Sequence, residues 1–524
     1  MDIQELQHLY SEHKQVKALG KVLQDDKVQT LHLSGMCASS APLVFASLAC
    51  AAPQVLNRPY LFVLDDVEEA GYFYHDLTQV LGDKNVLFFP SSFRRALKFG
   101  QRDAANEILR TEALSRITGG DLPLFLVSYP DALAEKVVSQ KQLSEHTLQI
   151  TVGEEVDISF VESTLFEYGF QRVDYVYEPG QYAVRGSLID VYSYSSEYPY
   201  RIDFFGDEVD SIRTFEVETQ LSKDKHERIT IVPQLRQGLQ ENIPFTSFLP
   251  DNTVLVLKDL LYVTESVEKI FKEGFARQAV VEQEAINEMH EQELFAQIKK
   301  DFLLTNGNQF LGDVSSMKRV EFGHRPTGNP QATIAFNLTA QPIFHKNFEM
   351  VFSSFSDYIS RGYTLYILAD SSKQATRLEA IFEEQGTGIH FTPVSKTLHA
   401  GFADDDAKVC FFTDHQIFDR FHKYSLRSDK ARSGKVALSL KELQQFELGD
   451  YVVHIDHGVG RFGGLVRIPN GDSMQEVIKI IYQHDDVVFV SIHALHKVSK
   501  YKGREGEPPR VNRLGTGAWE RLKE

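Results

Sequence analysis

Four short runs of apolar residues, VQTLHLS (28–34), LFVL (61–64), VLFF (86–89) and PLFLV (123–127), punctuate the first part of the chain. Between them, segments near 41–51, 66–81 and 103–117 carry apolar residues three and four apart, the spacing of one helix face. A strand without polar alternation must be buried on both faces, and the intervening helices supply the cover. This alternation predicts a parallel sheet layered by helices. The turn after the first strand then falls where a nucleotide-binding fold places its phosphate loop.

The pattern changes at about residue 150. Residues 175–217 read YVYEPGQYAVRGSLIDVYSYSSEYPYRIDFFGDEVDSIRTFEV, with period-two alternation, aromatics and the turn dipeptides Pro179-Gly180 and Gly206-Asp207. These features predict a small antiparallel module. Between about 254 and 302 the periodicity returns to helix, with an acidic stretch at 280–295 that reads as a solvated helix face. A second βαβ-like unit follows: a helix over 347–362, a strand at 364–370, a helix opened by Ser371, and a strand at 409–413. The polar, basic segment 422–436 reads as a linker. The last section is all β, with strands at 451–456, 464–468, 476–483 and 486–492 separated by glycine-bearing turns, the pattern of a small barrel.

Composition narrows the function. The chain has 524 residues, enough for three to four domains, with 42% apolar and 24% charged residues. Its net charge of −18 argues against a protein that coats nucleic acid through overall charge. Residues 441–524 carry equal numbers of acidic and basic groups, so the whole excess lies in residues 1–440. Three cysteines (Cys37, Cys50, Cys410) cannot build a disulfide framework or a four-cysteine zinc site, which fits a reducing compartment. The start is polar and helical without a signal-peptide core, and the longest nearly apolar run, 41–52, is too short to span a bilayer. We expect a cytoplasmic protein.

Candidate chemistry is sparse. A phosphate loop starting at Gly35 needs glycine at 40, lysine at 41 and a hydroxyl at 42, but the chain has Ser40, Ala41 and Pro42. The lost lysine would have neutralised the β- and γ-phosphates, and the lost hydroxyl would have held magnesium. The loop is therefore expected to keep the shape without binding nucleotide. The run GVGRFG (458–463) matches a dinucleotide fingerprint but sits between alternating strands, where glycines serve a hairpin or bulge. His454, Asp456 and His457 lack further ligands, so no metal site is expected. No cysteine or serine stands in a nucleophile motif. This is nucleotide-fold scaffolding without its chemistry, and it points to binding.

Two stretches carry a family resemblance. YGFQRVDYVYEPGQYAVRGSLIDVYSYSSEYPYRIDFFGDEVDSIRTFEVETQ (168–220) resembles the UvrA-binding domain shared by the excision-repair protein UvrB and the transcription-repair-coupling factors (Mfd). LGDYVVHIDHGVGRFGGLVRI (448–468), continuing through 480–501, is similar to the RNA-polymerase-interacting domain of the coupling factors, a Tudor-like barrel also found in CarD-type regulators. The two modules in this order select the coupling factors, and the whole chain fits the order of their N-terminal half. RLGTGAWERLKE (513–524) looks like the lead-in to the family's translocase motor, so the chain is expected to be a truncated piece of a longer protein.

The resemblance implies an α/β multidomain fold. Residues 1–139 and 223–340 would form an interrupted, UvrB-like domain with a degenerate P-loop-like parallel sheet. Residues 140–222 would be the inserted α+β UvrA-binding module, and 341–436 a second small α/β domain of unassigned role. Residues 437–505 would be the polymerase-interacting barrel, and 506–524 the start of the motor linker. It further implies a non-catalytic adaptor that recruits UvrA to a stalled RNA polymerase and grips the polymerase β subunit. ATP, magnesium and most DNA contact would belong to the family's downstream ATP-driven motor, and no cofactor is expected in this chain. By motif position, the UvrA contacts fall on Arg172, Arg185, Asp190, Tyr192, Arg201, Asp203 and Phe204, with arginines serving an acidic partner and exposed aromatics as anchors; the alternative is that alternate members, especially Phe204, face the module's own core. For the polymerase, a barrel edge pairing by strand addition points to Leu465, Val466, Arg467 and Ile468, the alternative being that Leu465 and Ile468 fill the barrel. The rival readings are an active P-loop ATPase or helicase, and a DNA-binding protein using the basic run 497–513.

Overall fold

The computed structural model describes residues 1–92, 104–217, 220–235, 242–273, 304–384, 388–420, 422, 424, 448–454, 457–470, 473–491, 498–500 and 511–513. The acidic stretch 280–295, most of the basic run 497–513 and nearly all of the linker at 422–436 lie outside these residues. The described chain is a mixed α/β assembly with one large parallel sheet and several smaller sheets, one of them antiparallel at the C-terminal end.

The large sheet has seven strands, all parallel, in the order Ala332–Ala335, Thr30–Ser34, Lys318–Glu321, Val254–Leu257, Pro59–Val63, Leu124–Ser128, Val86–Phe88. All four apolar runs of the first part of the chain are strands of it. The helices Ser40–Ala51, Val67–Leu81 and Ala104–Gly119 match the expected segments. One expectation fails: Val254–Leu257, read as part of a helical stretch, is a central strand wedged between Pro59–Val63 and Lys318–Glu321. Its four residues are too few to show a period, and the helical spacing of Leu260–Glu273 begins directly after it.

Helix Ser40–Ala51 (SAPLVFASLACA) has no polar side, and every residue from Ser40 to Leu48 is buried. A helix apolar all round needs cover on all sides. The sheet supplies part of it, through Phe45 packed against Tyr60 and Phe62. The N-terminal helices Ile3–Ser11 and Lys14–Gln24 supply more. Gln7 donates to the Ala46 carbonyl at 2.7 Å, and a Cβ on Gly20 would stand 2.6 Å from that of Ala52, so these helices approach backbone to backbone.

The same N-terminal helices grip the second α/β sheet, ordered Leu338–Ala340, Phe402–Asp404, Val409–Thr413, Thr364–Ala369, Thr392–Ser395. Val409–Thr413, Thr364–Ala369 and Thr392–Ser395 run parallel, Phe402–Asp404 is antiparallel to both its neighbours, and helices Phe348–Ser360 and Ser372–Glu384 flank the sheet. Buried Asp404 is the clamp. Its Oδ2 accepts from the Tyr10 hydroxyl at 2.8 Å and lies 3.2 Å from His13 Nε2, while Oδ1 accepts the N–H groups of Asp406 and Ala407. His13, Asp404 and Asp406 bring three ligand-type atoms within 4.8 Å of one another. Each is already committed: Asp406 accepts from Gln15 and Asn337, and His13 Nδ1 accepts the Gln15 N–H. The trio is therefore a structural network rather than a metal centre.

The inserted module carries a six-stranded sheet ordered Ser222–His226, Glu208–Phe215, Tyr200–Phe205, Leu188–Val191, Gln181–Arg185, Gln171–Arg172. The sheet is antiparallel except for the last pair. Helix Ile158–Glu167 covers one face through Val161 and Leu165, which join a core of Tyr182, Ile189, Val191, Ile202, Phe204 and Ile212. Strand Arg228–Ile231 pairs with Leu148–Thr151, so residues expected to rejoin the first domain from 223 onward pair within the module.

The C-terminal sheet has five antiparallel strands, one more than the sequence suggests, in the order Val487–Ser491, Ser473–Ile481, Gly458–Asn470, Tyr451–His454, Val498–Lys500. Its register slips between Phe462 and Leu465, and a Cβ on Gly460 would lie 2.5 Å from Ile480 Cγ2. The GVGRFG run is thus a bulge with close packing, as its context implied. Asn512 closes the sheet, accepting the Val459 N–H and donating its own N–H to the Val459 carbonyl.

Asp404→Ala should strand a buried hydroxyl, an imidazole and two amide groups. The expected outcome is a loss of about 3 kcal/mol or more of unfolding free energy in a urea titration.

Candidate functional site

Three regions compete for function. The first is a cleft of about 1300 Å³ at the C-terminal ends of the large sheet, where open α/β sheets bind ligands. Its floor is the Gly35 turn. Gly35 has φ +79°, and a Cβ there would stand 2.0 Å from the Phe336 carbonyl oxygen, so the neighbouring chain demands glycine. The groups that would face a phosphate already have protein partners. The Ser39 N–H donates to Ala400 O at 3.1 Å, and Ser39 Oγ accepts the Ala400 N–H at 2.9 Å. Ser40 Oγ accepts the Cys37 N–H at 3.1 Å; Ala41 and Pro42 are buried.

Acid dominates the walls of this cleft. Asp65, Asp66, Glu68, Glu69, Asp76 and Asp259 face Lys258 and Arg325. Lys258 is bound to Glu69 and, at 3.3 Å, to Asp65. Burial alone would lower its ammonium pKa, but these carboxylates carry it above the ordinary lysine value. Burial raises Asp65, and pushes fully buried Asp76 up to about 7 despite bonds from Ser39 and His399. Behind the wall, burial pulls His75, His399 and His415 down to about 4, so all three are neutral at pH 7.

The second region is the module face opposite its helix. Asp190 lies directly across the strands from Arg201 and is only 1% exposed. Arg201 grips it with two bonds, Nε to Oδ1 at 2.7 Å and Nη2 to Oδ2 at 2.9 Å, and Arg185 binds the same Oδ2. These bonds hold Arg201 above the ordinary arginine value. The Arg201 guanidinium also lies 4.3 Å from the Phe215 ring centroid and donates to Gln220, while Arg185 covers Tyr175 at 5.0 Å. Asp203 continues the stripe, 3.6 Å from Arg213.

Of the seven residues expected to meet UvrA, four gather here: Arg185, Asp190, Arg201 and Asp203. Arg172 stands apart on the edge strand, 61% exposed and paired with Glu162 at 2.5 Å. Two aromatics are not exposed anchors. Tyr192 is buried with Val176, Ala183 and Phe215, donates to the Glu197 carbonyl at 2.6 Å, and has its hydroxyl pKa pushed well up by burial. Phe204 is buried against the covering helix. Its neighbour Phe205 is 82% exposed and shares the Arg201–Asp203 face by strand alternation. The strand pattern held the signal for Phe205: Ile202 and Phe204 alternate inward, leaving 201, 203 and 205 outward.

The third region is the strand Gly458–Asn470. Leu465, Val466, Arg467 and Ile468 pair on one side with Ile478, Val477, Glu476 and Gln475. Among the described residues no strand pairs with these four on the other side, since Tyr451–His454 reaches only Gly458–Arg461. Leu465 is 39% exposed and Val466 is half-buried.

The fold and these sites define a class: a multidomain α/β scaffold bearing two compact β-sheet modules with candidate docking faces. Comparison with known families agrees. Residues 148–236 match the family model of the UvrB interaction domain, and residues 446–502 match that of the CarD-like/TRCF RID domain. The chain as a whole is similar to transcription-repair-coupling factors. It is 24% identical over 534 residues to that of Staphylococcus aureus (strain USA300), covering 89% of this chain and 45% of the relative. It is 24% identical over 570 residues to that of Bacillus subtilis (strain 168), covering 94% of this chain and 47% of the relative. The chain thus spans about half the length of the curated relatives it matches, and the resemblance seen in two stretches extends along most of it. Among the described residues, no helix is long and apolar enough to cross a membrane.

Asp190→Ala should leave two arginines without their buried partner and cost the module about 3–5 kcal/mol, read as an earlier unfolding transition. Arg172→Ala, at an exposed pair, should cost under about 1 kcal/mol in the same assay.

Proposed function

We propose that this chain is a non-catalytic adaptor for transcription-coupled DNA repair. Its inserted module binds UvrA, and its C-terminal sheet, a Tudor-like barrel in this reading, binds the RNA polymerase β subunit. The observation that carries the proposal is the pairing of the two matched modules, one bearing a pre-organised arginine face and the other a strand side that, among the described residues, has no pairing strand. In the first, Asp190 holds Arg185 and Arg201 in fixed geometry, so little side-chain entropy is lost when an acidic surface docks. Phe205 beside them supplies an apolar anchor. In the second, residues 465–468 offer main-chain groups for strand addition.

The large sheet then acts as a P-loop-like scaffold that does not use ATP. The missing lysine, the Ala400 segment over the helix start and the acidic cleft all oppose a triphosphate. ATP, magnesium and a motor belong to the part of the family's length outside this chain, and its domains work in the cytoplasm with the repair and transcription machinery.

Phe205→Ala and Arg185→Ala should each weaken UvrA capture in a pull-down by about tenfold or more while the circular dichroism spectrum stays unchanged. Undiminished capture by both variants would reject this face. Titration calorimetry with Mg-ATP should give no heat of binding. Micromolar binding would favour the P-loop ATPase reading instead.

A further inference from the structure

The scaffold contains a cluster that docking does not use. Four histidines meet where helix Val67–Leu81 packs against the second α/β domain: His75 from the helix, and His399, His415 and His422 from the domain. The ring of His422 lies 5.0 Å from that of His75, 4.5 Å from that of His415 and 6.3 Å from that of His399, centroid to centroid. Imidazoles sharing a tetrahedral zinc ion have centroids roughly 5 Å apart, given zinc–nitrogen bonds of about 2.0–2.1 Å.

Among the described residues, each ring presents a buried nitrogen without a hydrogen-bond partner: His75 Nε2, His399 Nδ1, His422 Nδ1, and His415 Nδ1, which lies 3.9 Å from Asp414 Oδ1. Four such orphans in one cluster are unusual, because buried polar atoms are nearly always satisfied. In two rings the other nitrogen faces an oxygen acceptor. His415 Nε2 lies 2.8 Å from the His399 carbonyl, and His422 Nε2 lies 3.7 Å from Asp370 Oδ2. A carbonyl or carboxylate on the outer nitrogen fixes the tautomer and leaves the inner lone pair free, the support that ligating histidines require.

Charge and access agree. The groups around the cluster are Asp76, whose carboxylate accepts the main-chain N–H of His399, Asp370, and Asp414 paired with Arg420. His399, Tyr72 and Asp76 line the acidic cleft, which gives a cation an attractive path from solvent.

We propose that this cluster is a binding site for a divalent transition-metal ion of the zinc, nickel or copper type. Three or four imidazole ligands suit these ions and disfavour magnesium or calcium. The nitrogens do not converge on one coordination sphere as the rings stand, so binding turns the rings, the stacked His415–His422 pair in particular. Because the ligands come from both sides of the seam, a bound ion ties helix Val67–Leu81 to the second domain.

The test uses the 524-residue chain, stripped with chelator and titrated with Co²⁺ as a spectroscopic probe, followed by displacement with Zn²⁺. The expected result is one equivalent bound, with the visible d–d bands of nitrogen-rich, low-coordinate cobalt, and a higher melting temperature. His422→Gln and, separately, His75→Gln should each weaken binding by about tenfold or more. His8→Gln, on the exposed N-terminal helix, should not. No cobalt bands, or equal affinity in the wild type and both cluster variants, would overturn the proposal.

Discussion

A helix with no polar side constrains everything built around it. Ser40–Ala51 must be covered all round. Satisfying that need brings the large sheet beneath it, the N-terminal helices over it, and the 399–400 segment onto its N-terminus. The same N-terminal helices reach Asp404, which joins the second α/β domain to the first. In a nucleotide-binding protein the start of this helix is left open to receive phosphate. Here the Ala400 main chain pairs with the Ser39 N–H and hydroxyl at that helix start, and Ala41 and Pro42 stand where a phosphate loop has its lysine and hydroxyl.

In the inserted module the key choice is a buried carboxylate between two arginines. Asp190 alone would be costly to bury; paired twice, it becomes a fixed point from which Arg185 and Arg201 are held. The carboxylate is therefore a positioning group; Arg201 is largely covered, Arg185 is 34% exposed, and Phe205 stands outward. In the C-terminal sheet, among the described residues, strand Gly458–Asn470 extends beyond its neighbour Tyr451–His454 on one side.

Much of this was legible in the sequence, for definite reasons. The four apolar runs of the first sheet are long enough to show the absence of alternation, and the 168–220 and 448–468 stretches carry specific motifs. Val254–Leu257 was not legible, because four residues cannot distinguish a strand from the start of the helix that follows. The pairing of Leu148–Thr151 with Arg228–Ile231 joins segments some 80 residues apart and leaves no local mark. For Phe204 the sequence leaves an exposed anchor and a core position both open, because aromatics serve either role. Its phase with Ile202 places it inside and turns Phe205 outward. Tyr192 has an apolar body that fills the core and a hydroxyl that finds a carbonyl, a role that composition cannot separate from contact.

The central claim is that one scaffold carries two independent docking modules. The direct measurement is parallel binding of UvrA and of the isolated polymerase β subunit to the chain lacking residues 441–505. The account predicts that β-subunit binding disappears while UvrA binding keeps its wild-type affinity. Retained β-subunit binding, or the joint loss of both partners in a variant that still folds, would contradict it.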